Sequence, residues 1–402
     1  VSEKLTIGFL PLVDACLPIL AQEHGFAKEE GLELSFVRDV SWATVLDRLL
    51  YGHTDAAHML APLAIATTLG RGRPAQPLSA PFVLGLNGNA ITLRSSLADR
   101  IAPEGGLGDP RQIGARLAAH VRALADLDRK LRFGVVHRFS SHNYMLRYWL
   151  ASCGIRPDED IEIVTIPPPF VADALAAGEI DGSCVGEPWN SVAVERGVGS
   201  IVLATSQIWQ RGVEKVLALR EPVLDQRRPA IEALIRAMRK AGEHFIAPEN
   251  WEENTQILAR PEYVGADPGL IRYAITDRLV LRQGGWPVHY ADFMFQYREA
   301  ANFPWVSQAE WLYTQMVRWD GLAFSGEDAA KAAGVFRPDV YRTALKGTGD
   351  LLPGASSKVE GSLAQPTQAT AQQGSMILSQ NGFFDGKVFD PDDLEAYLAS
   401  LS

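Results

Sequence analysis

Leu5-Thr6-Ile7-Gly8-Phe9, Leu32-Glu33-Leu34-Ser35-Phe36-Val37 and Asp55-Ala56-Ala57-His58-Met59-Leu60 are three short apolar runs separated by segments of helical period. Runs of about 4–8 residues are strand length, and the stretches 14–24 and 42–51 between them repeat apolar residues every three or four positions. The order is strand, helix, strand, helix, strand. Gly25 and Gly52 stop the two helices, and Ser41 is placed to cap the second, whose Trp42, Val45, Leu46 and Leu49 make one apolar stripe.

The same order returns further along: strand 133–137, helix 141–152, strand 161–166, helix 170–177, strand 180–185. In both halves the first and second strands are offset by ~27 residues, the length of a βαβ unit. Two α/β lobes of like architecture follow. The length agrees, since 402 residues, 47% of them hydrophobic, exceed one ordinary core and suffice for two. Asn87-Gly88-Asn89-Ala90-Ile91-Thr92-Leu93 reads as a strand crossing between lobes, followed by a Gly/Pro-rich loop over 103–110, and a second crossing is expected at 213–219. After it, 228–245 reads as a helix with Ile231, Leu234, Ile235, Met238 and Phe245 on one face. The expected division is 1–91 and 213–340 for the first lobe, 92–212 for the second, and 341–402 for a wrapping extension. From about Asp320 the periodicity loosens, 347–373 is rich in Gly, Ser, Thr, Gln and Pro, and a short helix capped by Asp390, with Pro391 at its first position, is expected near the end. Two crossings make a hinge, and a hinge between α/β lobes makes a cleft.

Composition narrows the function. A formal net charge of −10 gives no general attraction to a phosphate backbone, so direct nucleic-acid binding is disfavoured. Cys16, Cys153 and Cys184 are widely spaced with no CxxC pair, and read as small buried hydrophobes. Val1-Ser2-Glu3-Lys4 runs straight into a strand pattern without a signal-like apolar region, so a cytoplasmic protein is expected, or a periplasmic one whose signal was trimmed. No window approaches the ~18 apolar residues that span a bilayer. A Gly-x-Ser-x-Gly elbow, a Walker-type lysine loop and a Gly-x-Gly-x-x-Gly turn after the first strand are all absent from the sequence. His53 and His58 are five apart rather than four, which argues against a zinc helix.

Ligands of open α/β sheets collect at the carboxyl ends of strands, where helix N-termini present unpaired amides. At such places stand Trp42, Asn87–Asn89, Ser140-Ser141-His142 and Val185-Gly186-Glu187-Pro188-Trp189-Asn190, with Lys215 at the second crossing. Each has a plainer reading: Trp42 as core, Ser140-Ser141-His142 as a cap with a satisfied histidine, Trp189 as a packing anchor, Lys215 as an exposed lysine paired with Glu214. Together they supply hydrogen-bond donors and one positive charge but no evident nucleophile, the chemistry of holding a small anion. Glu187 is awkward in such a site unless it orients a donor such as His142 or Lys215.

Ile7-Gly8-Phe9-Leu10-Pro11-Leu12-Val13-Asp14, Ser41-Trp42-Ala43, Asp55–Leu60, Asn87-Gly88, Ser141-His142-Asn143, Arg147-Tyr148-Trp149-Leu150, Pro167-Pro168-Pro169 and the 185–190 run together resemble the nitrate- and bicarbonate-binding NrtA/CmpA group of solute-binding proteins, over about 4–320. The resemblance implies a two-lobed α/β fold of the type II periplasmic-binding-protein kind, with a hinge of two crossing strands. It carries the family's nitrate contacts onto Trp42, His142, Gly186, Glu187 and Lys215, with no cofactor, metal or enzymatic activity. Where the transporter proteins have Asn-Gly-Gln, this chain has Asn87-Gly88-Asn89, whose amide reaches ~1.5 Å less far. Asn89 is therefore the expected sixth contact.

That variation and the long tail are similar to the cytoplasmic nitrate-sensing branch, NasS, whose members hold an RNA-binding antiterminator partner inactive until nitrate or nitrite arrives. The sensor reading is the first expectation. A periplasmic receptor feeding an ABC permease is the second, and a pyrimidine-precursor protein of the thiamine-biosynthesis type the third. In the first two the site is built of donors around nitrate or nitrite, bicarbonate remains possible, and alanine at Lys215 or His142 is expected to abolish binding without loss of stability.

Overall fold

The computed structural model describes residues 2–401. Two principal sheets carry the molecule. In the larger, Glu3–Phe9 pairs in parallel with Leu32–Arg38 on one side and Ala56–Leu60 on the other. Beyond Ala56–Leu60 lies Val213–Arg220, antiparallel to it, then Leu78–Asn87 and the two-residue strand Met294–Phe295. The smaller sheet follows the same plan. Leu131–Val135 lies parallel between Ile161–Thr165 and Gly182–Gly186, and Asn89–Arg94 joins antiparallel between Gly182–Gly186 and Gly199–Ala204.

In each sheet the strand beside the βαβ unit has just crossed from the other lobe. Leu78–Asn87 of the larger sheet leads into Asn89–Arg94 of the smaller, and Gly199–Ala204 of the smaller leads back to Val213–Arg220. The first crossing turns on Asn87 and Gly88, at φ of 60° and 88°. A side chain at Gly88 would need that left-handed backbone and would also stand 3.3 Å from Met294. Asn87 ties the crossings together: its Nδ2 donates to the Gln210 carbonyl at 2.9 Å, and its Oδ1 accepts from Gly212 N at 3.1 Å.

The helices form where the sequence places their caps. Ser41 Oγ accepts from Thr44 N ahead of Trp42–Leu50, and Ser140 Oγ accepts from Asn143 N ahead of Ser141–Ser152. Trp42, Val45, Leu46 and Leu49 are buried as one stripe. Arg228–Ile246 buries Ile231, Leu234, Ile235, Met238 and Phe245. Cys16 and Cys184 are buried and Cys153 half-buried, all three as thiols.

Three expectations change. Past Asp320 the chain stays regular, with helices Gly326–Val335 and Pro338–Leu345. Within 347–373, whose composition announces no regular element, the strand Thr367–Thr370 pairs with Ser375–Leu378 in a hairpin. The last helix, Leu394–Ala399, is capped by Asp393, whose carboxylate accepts from Ala396 N at 3.0 Å; Asp390 instead closes a turn onto Asp392 N. Pro391 therefore precedes the helix rather than starting it.

Among the described residues no helix is long and apolar enough to cross a membrane.

Candidate functional site

Lys215 and Glu214 are neighbours near the start of Val213–Arg220, and in a regular strand neighbours face opposite sides. Here the register against Leu78–Asn87 is broken between Val213 and Val216. Such a bulge re-aims side chains, and the two meet, Lys215 Nζ lying 2.7 Å from Glu214 Oε1. The ammonium also donates to Asp14 Oδ2 at 2.8 Å. Asp14 stands in the single turn Val13–Ala15 beyond the first strand, and its other oxygen accepts from His58 Nε2 at 2.7 Å. Leu10 N points at His58 Nδ1, 3.5 Å away, so this ring is neutral with its proton on Nε2.

Both lobes meet at this knot. Glu214 Oε2 accepts from Asn89 Nδ2 at 2.6 Å, and Glu214 Oε1 lies 3.2 Å from His142 Nδ1, too poorly aligned for a hydrogen bond. The Trp42 ring stands 5.5 Å from Lys215 Nζ and 5.1 Å from the His58 ring. At Gly186 an added Cβ would come within 3.2 Å of Asn89 Oδ1 and 3.9 Å of Asp14 Oδ2, so the bare backbone lets the strand end enter the cluster. Trp42, Asn89, His142, Gly186 and Lys215 thus share one network.

Its polar atoms are left incompletely paired. Trp42 Nε1, Asn89 Oδ1 and both His142 nitrogens are shielded from solvent without a hydrogen-bond partner among the described residues. Such atoms cost about 1–3 kcal/mol each when left unpaired, which makes this cluster the candidate site. Lys215 spends two of its three N–H groups on carboxylates, which leaves one to donate.

The charges are more balanced than a site of donors alone. Burial opposes ionisation of Asp14, but Lys215 and His58 beside it outweigh that and hold its carboxyl well below the usual range. Burial likewise opposes the charge on Lys215, and the two carboxylates overcome it. For Glu214 burial wins over Lys215 and its pKa rises. Burial and the adjacent ammonium keep His142 neutral, its pKa well below that of a free imidazole. Lys215 and Asp14 cancel, and the proton of Glu214 sets the net charge of the cluster.

Glu187 does not orient His142 or Lys215. Its Oε2 accepts from Ser191 N at 3.3 Å, its Oε1 has no partner, and burial pushes its carboxyl up to about 7. The orienting role belongs to Asp14 and Glu214. Asp14 could be read in advance only as an acid at the end of the first strand, and Glu214 only as the neighbour of a lysine, because regular alternation sends it to the opposite face. Lys215 is paired with Glu214 as the plain reading had it, yet it is fully buried rather than on the surface. Trp189 is an anchor, its Nε1 donating to the Pro11 carbonyl across the lobes at 2.9 Å.

Residues 2–259 match the model of the NMT1-like family. The chain is 32% identical to the nitrate import ATP-binding protein NrtC of Synechocystis over 98% of its own length and 54% of that protein's, about half of it. It is 30% identical to the nitrate/nitrite binding protein NrtA of Synechococcus elongatus, over 99% of this chain and 86% of the other. The crystal structure of the periplasmic nitrate-binding protein NrtA from Synechocystis superposes with a TM-score of 0.85 at 28% identity, covering 100% of this chain and 99% of that one. The two-lobed α/β architecture is that of the periplasmic binding proteins.

Proposed function

The chain belongs to the NMT1-like family and to its NrtA-type solute-binding proteins, and on that premise we propose that it binds nitrate or nitrite between its lobes without altering it. The observation that carries this reading is the set of buried polar atoms left unpaired around Lys215: Trp42 Nε1, Asn89 Oδ1 and both His142 nitrogens have no partner among the described residues, and the Gly186 backbone lies against Asn89. Nitrate is planar and singly charged, and a charged ammonium with neutral donors near it answers both properties. Lys215 is held charged by its two carboxylates and so is no nucleophile, and burial keeps the nearby Cys184 thiol protonated.

Isothermal titration with nitrate, nitrite and bicarbonate tests this, on the protein and on His142→Phe. Phenylalanine fills a similar volume while removing two unpaired buried nitrogens. Nitrate affinity should fall about 10- to 100-fold, the worth of a hydrogen bond to an ion, while the unliganded protein melts no lower. Unchanged nitrate affinity in this variant would refute the site.

What occupancy does next is a finer reading. The Asn87-Gly88-Asn89 signature and its resemblance to the sensing branch support a cytoplasmic sensor releasing an antiterminator partner. The names of the relatives, one a nitrate import component and another a periplasmic binding protein, support a receptor delivering to an ABC permease. A ligand-dependent complex with a purified antiterminator, absent with permease vesicles, would decide for the sensor; the reverse would decide for transport.

A further inference from the structure

A second cluster of chemistry-bearing side chains lies in the larger-sheet lobe, two half-buried and one exposed, built from three helices. His24 closes Cys16–Glu23, His244 sits in the last turn of Arg228–Ile246, and Glu253 opens Trp251–Leu258. One ligand atom from each lies within 4.8 Å of the other two. The two imidazoles are 4.0 Å apart between centroids. Asn254 Oδ1, 2.8 Å from His24 Nε2, fixes the orientation of that ring. His244 Nδ1 and Asn254 Nδ2 are shielded from solvent without partners among the described residues.

We propose that His24, His244 and Glu253 form a binding site for a divalent transition-metal ion of the zinc class, separate from the anion cleft. The donor set, two imidazoles and a carboxylate, is one that zinc takes with a water in the fourth position, and hard ions such as magnesium and calcium decline. Zinc bonds of about 2.0–2.1 Å place donors ~3.4 Å apart, so ligation asks a contraction of ~1.4 Å at most, within reach of the exposed Glu253 side chain. An amide that orients a ligating imidazole is the support such sites normally have. Such an ion would tie the first βαβ unit to the helices that follow the second crossing.

Zinc titration of the metal-free protein by calorimetry, with cobalt substitution read by visible absorption, tests this. The protein should bind one equivalent, with tetrahedral cobalt bands. His24→Gln with His244→Gln should weaken zinc at least about 100-fold, and Glu253→Gln about tenfold, while nitrate affinity stays as it was. Because these are surface-proximal, size-matched changes, melting temperature without zinc reports that the variants fold, and only the parent protein should melt higher with zinc. Absence of stoichiometric binding, or equal binding by the double variant through other histidines, overturns the proposal.

Discussion

At the scale of the residue, Lys215 is the point where reasoning from sequence and the structure part. A lysine that merely supplied charge to a ligand could be removed from the free protein at little cost. This one is fully buried between Asp14 and Glu214 at 2.8 and 2.7 Å, so Lys215→Ala strands two carboxylates. Breaking a buried pair from one side costs about 3–5 kcal/mol, and a urea midpoint lowered to match is the expected outcome; an unchanged midpoint would place the ammonium elsewhere. The same balance makes anion binding a proton-linked event. Burial raises Glu214, and raises Glu187 to about 7, so on either residue the protonated, neutral form gains as pH falls and repels an anion less. Nitrate itself does not titrate there. If one group near 7 is coupled, affinity should rise by about tenfold from pH 8 to pH 6, and titrations in buffers of different ionisation heat should show proton uptake. A flat profile would mean that neither carboxylate senses the ligand.

At the scale of the element, periodicity and caps were legible where a helix packs one face on a sheet. Helix 141–152 and the helix beginning at Arg228 are found where the apolar spacing puts them, because Ser140 caps the first and a continuous stripe from Ile231 to Phe245 drives the second. Gly326–Val335 was not legible. It buries only Ala332 and Val335 and spends the rest of its length on small or charged residues, so no stripe announces it. Asp390 and Asp393 are equally good caps on paper, and what chooses Asp393 is tertiary: the helix must start where Leu394 and Tyr397 reach the core. Of the candidate site, the donors were readable as polar residues at strand ends. The acids that position them were not, since a bulge over 213–216 is a register fault that only the paired strand reveals.

At the scale of the molecule, the tail binds the lobes together outside the hinge. Phe383 stacks on Trp209 with centroids 4.9 Å apart, Trp209 packs on Trp311 at 4.6 Å, and Tyr148 of the smaller-sheet lobe donates to Asp385 at 2.9 Å. The long helix Val306–Trp319 lies against both Ala61–Thr68 of one lobe and Ser141–Ser152 of the other, and Asp320 at its end accepts from Tyr144 Oη at 2.7 Å and from Arg138 at 3.0 Å. The network around Lys215 is closed to solvent, so a ligand enters only when the lobes part. If Asp320 stays with the larger-sheet lobe, parting them breaks the Tyr144–Asp320 bond. A contact made in the closed form alone stabilises whatever the closed form holds, without touching it. Tyr144→Phe removes that bond and leaves Arg138 to pair with Asp320, so nitrate should bind about tenfold more weakly, the smaller worth of a hydrogen bond to an ion. The loss should appear as faster release in stopped-flow fluorescence, with the pH profile of binding unmoved. If release is unchanged, Asp320 travels with the smaller-sheet lobe and the strap plays no part in closure.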